Sequence, residues 1–150
     1  MKLFPKKPSL LTRLAVVMIL SVAYACSGPA GDSNTLDVER PAPPAEYAGK
    51  TNPLAEDEAA VEAGKQLYAA NCVSCHGAEA MGDGPAANSL NPKPKPLATE
   101  MKSLKDDYLL WRISEGGAFS PFTSAMPAWK TIFSEDEIWQ VIAFLRTLSK

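Results

Sequence analysis

The stretch Asn71-Cys72-Val73-Ser74-Cys75-His76 decides how this chain is read. Two thiols stand three positions apart, and an imidazole follows immediately. That C-x-x-C-H spacing lets both sulfurs add to the vinyl groups of a haem while the histidine reaches the iron. A redox disulfide needs the strand and helix pattern of a thioredoxin-like fold around it, and none is present. A zinc site needs a fourth ligand, and the remaining cysteine, Cys26, is remote in sequence. Covalent haem c, one per chain, is therefore the expected cofactor, with Cys72 and Cys75 as attachment points and His76 as an axial iron ligand.

His76 is the only histidine in the 150 residues, so a second imidazole from this chain cannot fill the sixth iron position. A thioether is the next candidate. Met81 follows His76 too closely to cross to the opposite haem face. Met126 stands in Ser124-Ala125-Met126-Pro127-Ala128-Trp129, where proline bars helix and keeps the preceding residue extended. Met126 is the expected ligand, and Met101 is the alternative.

The N-terminus points to export. Lys2, Lys6, Lys7 and Arg13 precede an uncharged apolar run, Leu14–Ala25, that ends in small residues before Cys26. The run is shorter than the roughly 20 residues of a spanning helix, which favours a cleaved signal peptide (1–25) over a permanent anchor. Cys26 would then become the mature N-terminus and a candidate for lipidation, holding the protein at the outer face of a membrane. A soluble periplasmic protein and an uncleaved anchor are the alternatives. Removing residues 1–25 takes four basic residues and no acidic ones, moving the formal charge from −2 to −6. So acidic a chain offers no face for nucleic acid.

Residues 26–54 are rich in Pro, Gly and Ser and lack apolar periodicity, so they read as a tether with a reach of roughly 30 Å. From 55 to 150 the pattern is helical, and the whole chain has the ordinary globular balance of 46% hydrophobic and 21% charged residues. A first helix is expected over 56–71 and a second over 105–115, stopping at Gly116-Gly117. A third opens on a capping box at Ser134–Glu137 and carries Ile138, Trp139, Val141, Ile142, Leu145 and Leu148 at helical spacing. Residues 77–103 should be mostly loop. Trp111 and Arg112 are expected near the haem edge, with Arg112 a candidate partner for a haem propionate; an ordinary buried tryptophan and a solvated arginine are the alternative.

Gly64-x-x-x-Tyr68, the C-x-x-C-H turn, Gly82-Asp83-Gly84-Pro85, Tyr108-x-x-Trp111-Arg112-Ile113, Met126-Pro127-Ala128-Trp129 and the terminal helix together resemble the monohaem class I cytochromes c. The likeness is nearest to the cytochrome c subunits of high-affinity haem-copper oxidases and covers about 55–150. It implies an all-α small cytochrome c fold, three to five helices wrapped around one covalent haem. It also implies a tight crossing of the first and last helices, with Gly64 and Tyr68 packed against Phe144. In such proteins a proline carbonyl orients the axial imidazole, and Pro92, Pro94 and Pro96 all compete for that place.

With both axial positions filled, no site is left for a small-molecule substrate. The expected function is one-electron transfer rather than catalysis, at a positive potential. Redox proteins such as a quinol-oxidising complex and a terminal oxidase or reductase are the expected partners. A subunit fixed in a larger membrane complex shares that chemistry, and a haem sensor or enzyme with an open sixth position is the competing class.

Overall fold

The computed structural model describes residues 40–149. The signal peptide, Cys26 and the first part of the expected tether lie outside the described residues. Within them the secondary structure is helical, without strands: α1 (Glu58–Asn71), α2 (Val73–His76), α3 (Leu97–Glu100), α4 (Asp106–Glu115) and α5 (Glu135–Thr147), with short helical turns at Ala87–Ser89 and Trp129–Thr131. No helix among the described residues is long and apolar enough to cross a membrane.

The first and last long helices each start on a side-chain cap. Asp57 caps α1, its carboxylate accepting from the amides of Ala59 at 2.9 Å and Ala60 at 3.2 Å. The capping box of α5 forms as expected: the Glu137 amide donates to Ser134 Oγ at 3.3 Å, and Glu137 Oε2 accepts from the Ser134 amide at 2.8 Å. Behind that cap, Ile138, Trp139, Val141, Ile142, Ala143, Phe144 and Leu145 are all buried. The last helix is thus the central element, covered by α1 on one side and α4 on another.

The crossing of α1 and α5 is set by Gly64. A Cβ built there would stand 1.9 Å from the Gln140 carbonyl oxygen, so the two backbones touch and only glycine fits. One turn later Tyr68 packs on Phe144, ring centroids 5.4 Å apart. Met101, Leu110, Ile138 and Ile142 form the most deeply buried centre. Met101 is 0% exposed, and its carbonyl accepts from Arg146 Nη1. It is a packing residue of the core.

The tether reading of 26–54 needs correction over its second half. Residues 40–54 lie on the helical domain as a strap, and two of its side chains are buried: Tyr47 at 8% exposure and Asn52 at 8%. Asn52 Nδ2 donates to the Trp139 carbonyl at 2.9 Å, and its amide donates to Asp106 Oδ2 at 3.0 Å. Gly49 donates to Asp107 Oδ2 at 3.0 Å, and Lys50 pairs with Glu135 at 2.9 Å. A strap held by one ring and one amide carries no periodicity, so its composition looks like that of a linker. Elsewhere the expected loop at 77–103 contains only a single turn at Ala87–Ser89 and the four-residue α3.

Candidate haem-attachment site

Cys72 ends one helix and opens the next. Its amide donates to the Tyr68 carbonyl at 2.9 Å, and its carbonyl accepts from His76 at 2.8 Å. Cys72, Cys75 and His76 therefore share one turn, both cysteines half-buried and present as free thiols. A four-residue helix leaves its carbonyls without partners of its own. The loop that follows supplies them: Gly82 donates to the His76 carbonyl at 2.8 Å, Gly84 to Cys75 at 3.3 Å and Ala86 to Ser74 at 2.9 Å. Gly84 comes so close that a Cβ there would lie 2.5 Å from the carbonyl oxygens of both Val73 and Ser74. The Gly82-Asp83-Gly84-Pro85 motif is the cap of the attachment turn, a role that its spacing alone did not disclose.

The donor set fits a haem. Burial pulls the His76 imidazole below its ordinary pKa, favouring the neutral ring, the form that binds a metal. Its Nδ1 is buried without a hydrogen-bond partner. None of the three candidate prolines, Pro92, Pro94 or Pro96, supplies the anticipated orienting hydrogen bond to it; the Pro96 carbonyl accepts instead from the Thr99 amide at 3.1 Å and hydroxyl at 2.9 Å. Burial, and then the neighbouring Cys75, push the Cys72 thiol up to about 11, opposite to the depressed thiol of a redox C-x-x-C.

Met126 lies in a second cluster. The chain turns sharply after α4 at Gly116, φ +69°, and returns so that Gly117 donates to the Met126 carbonyl at 2.9 Å while Ser124 donates to the Gly117 carbonyl at 2.7 Å. A Cβ on Gly116 would fall 2.5 Å from the Met126 carbonyl oxygen, so the methionine backbone rests directly on the turn. The Met126 side chain is half-buried and packs against the core, as do Cys72, Val73, Met81, Leu97, Phe119, Phe122 and Trp129.

Trp111 is buried, in edge contact with Phe122 at 5.5 Å and 6.0 Å from Phe119. Arg112 is no solvated surface charge. Its guanidinium stands 3.4 Å from the centroid of the Phe122 ring, and Nη1 donates to the Gly116 carbonyl at 2.6 Å. Burial lowers its pKa, and it forms no ion pair among the described residues. Arg112 and Met126 thus meet through the Gly116-Gly117 turn. Phe119 and Phe122 were not singled out from sequence; their signal is two aromatics three apart directly after a Gly-Gly helix stop.

Comparison with known proteins agrees with this arrangement. The family described as cytochrome c oxidase, cbb3-type, subunit III, matches residues 59–145. Among solved structures the chain is similar to a component of the reducing HAO-like protein complex of Kuenenia stuttgartiensis, with 26% identity and a TM-score of 0.51 over 62% of this chain and 45% of that one. It is also similar to cytochrome CL of the marine methylotroph Methylophaga aminisulfidivorans, with 25% identity and a TM-score of 0.51 over 65% of this chain and 60% of that one. The chain spans less than two thirds of either structure. With one C-x-x-C-H turn, an all-helical fold and this match, the chain belongs to the cbb3-type subunit III family of cytochrome c domains, a monohaem class I cytochrome c with covalently bound haem c.

Proposed function

We propose that this protein is a single-electron carrier whose haem is attached through Cys72 and Cys75 and ligated by His76 and Met126. The observation that carries the reading is the half-buried His76, with a buried and unpartnered Nδ1, on the same turn as two free thiols. When bound, the haem supplies reversible Fe(III)/Fe(II) chemistry. Cys72 and Cys75 fix its position by thioether bonds. Met126, held on the Gly116 turn, would hold the iron through its sulfur and keep water and small ligands away. The aromatic cluster of Trp111, Phe119 and Phe122 keeps the surroundings apolar, which, with thioether ligation, favours the reduced state. Arg112, half-buried without a carboxylate partner among the described residues, offers its charge to a haem propionate.

Carbon monoxide tests the carrier against the sensor. The reduced protein should ignore it at neutral pH, whereas immediate binding would mean an open sixth position. A second reading is a subunit fixed in a larger assembly, fed by a quinol-oxidising complex and discharged by a terminal oxidase or reductase. It is favoured by the family's description as an oxidase subunit and by a similar structure from a protein complex. Co-purification in mild detergent separates a fixed subunit from a free shuttle. The mature protein acts outside the cytoplasm, anchored by lipid on Cys26. Intact mass from the native host tests this: a terminus at Cys26 bearing diacylglycerol supports it, and an unmodified Cys26 or a retained leader contradicts it.

A further inference from the structure

The strap 40–54 reaches the methionine loop through one carboxylate. Glu115, the last residue of α4, accepts on the same Oε1 from the Tyr47 hydroxyl at 2.5 Å and from Lys130 Nζ at 2.6 Å. Tyr47 belongs to the strap, and Lys130 to the short turn Trp129–Thr131 that follows Met126. Gly116 and Gly117, the next two residues after Glu115, hold the Met126 carbonyl from the other side. The loop bearing the sulfur is therefore fastened at both ends to the C-terminus of α4. One fastening is backbone, made by glycine. The other is side chain, and it extends into a segment whose composition reads as linker.

We infer that Tyr47 and Glu115 are positioning residues for Met126, and that the strap is part of the machinery keeping the sixth iron position closed. This rests on Met126 being the ligand. The two bonds to Glu115 are unequal. The Lys130 side chain is 51% exposed, so its attraction is screened by water. Tyr47 is only 8% exposed, and its hydroxyl has little access to competing solvent. Tyr47 contributes direction, because a rigid ring delivers its proton at one place. Lys130 contributes charge that keeps Glu115 ionised and accepting. When either bond is lost, the Trp129–Thr131 turn is freer to lift, and Met126 spends more time away from the iron.

Exogenous imidazole competing for the ferric iron reads that opening directly. In Glu115→Gln and Tyr47→Phe, imidazole affinity should rise about fivefold over wild type, the effect of losing one hydrogen bond from the closed state. Lys130→Met should give a smaller rise. Asp57→Ala, which removes the cap of α1, lowers stability without touching the loop and should leave the affinity unchanged. If Glu115→Gln does not fold, Tyr47→Phe still decides, since it keeps the ring and removes one oxygen. Wild-type affinity in Tyr47→Phe and Glu115→Gln overturns the proposal, as does a rise equal to that of Asp57→Ala, which would be general loosening. Met126→Ala separates the two ideas. If it binds imidazole far more tightly than wild type while the strap variants do not, the ligand assignment stands and the positioning role falls; if its affinity is unchanged, both fall.

Discussion

The Tyr68 hydroxyl donates to the Gly77 carbonyl at 2.7 Å, so the side chain that packs α1 on Phe144 of α5 also secures the residue after His76. Helix packing and haem attachment are mechanically joined there. Tyr68→Phe keeps the ring contact and strands a buried carbonyl. It should lower the stability of the haem-loaded protein in urea by about 1–3 kcal/mol. An unchanged midpoint and slope would mean that the carbonyl finds another donor.

Gly64→Ala tests the helix crossing. The new methyl would lie 1.9 Å from a backbone oxygen, and no rotamer change can relieve that contact. α1 must then move off α5, at an expected cost of about 3 kcal/mol in urea unfolding. A variant as stable as wild type would place the crossing elsewhere.

Arg112→Gln tests the electrostatic role. A cation beside a haem propionate opposes the negative charge added on reduction, so removing it should lower the potential, by an amount on the order of tens of millivolts. The measurement is a redox titration at low ionic strength, where screening is weakest. An unchanged potential would reduce Arg112 to its visible tasks, binding the Gly116 carbonyl and covering Phe122.

Glu115 sets an acid limit. Hydrogen bonds from Lys130 and then Tyr47 hold its carboxyl below the usual range. A depressed carboxyl adds stability that is present above its unfolded value of about 4.3 and is lost as pH falls toward the folded value. Because the pair is partly exposed, the contribution should be at most about 1 kcal/mol. Urea midpoints between about pH 3 and 6 should fall less steeply in Glu115→Gln than in wild type, from a lower neutral plateau. Parallel curves would remove Glu115 from the acid response.

What was legible in advance shares a property: it is local. The C-x-x-C-H turn, the Ser134 capping box and the apolar stripe of α5 each need only neighbours within a few residues, and each stands where its spacing places it. The strap was read as linker because Tyr47 and Asn52 acquire their meaning from partners far along the chain, Glu115 and Trp139. The loop 82–86 could be noticed through its resemblance, yet its task of satisfying the attachment turn is visible only in three dimensions. The proline after Met126 favoured it over Met101 as the expected ligand, but the difference in their burial is a property of the fold: Met101 is closed inside the helical core, whereas Met126 stays half-buried on a loop.

The far-red sulfur-to-iron absorption band of the oxidised protein, recorded for wild type and for Met126→Ala, tests the central claim most directly. Wild type should show the band. Met126→Ala should retain its covalent haem through Cys72 and Cys75 but lose the band, with a potential lower by on the order of 0.2 V. A band that survives in Met126→Ala, or is missing from wild type, would contradict a His76/Met126-ligated electron carrier.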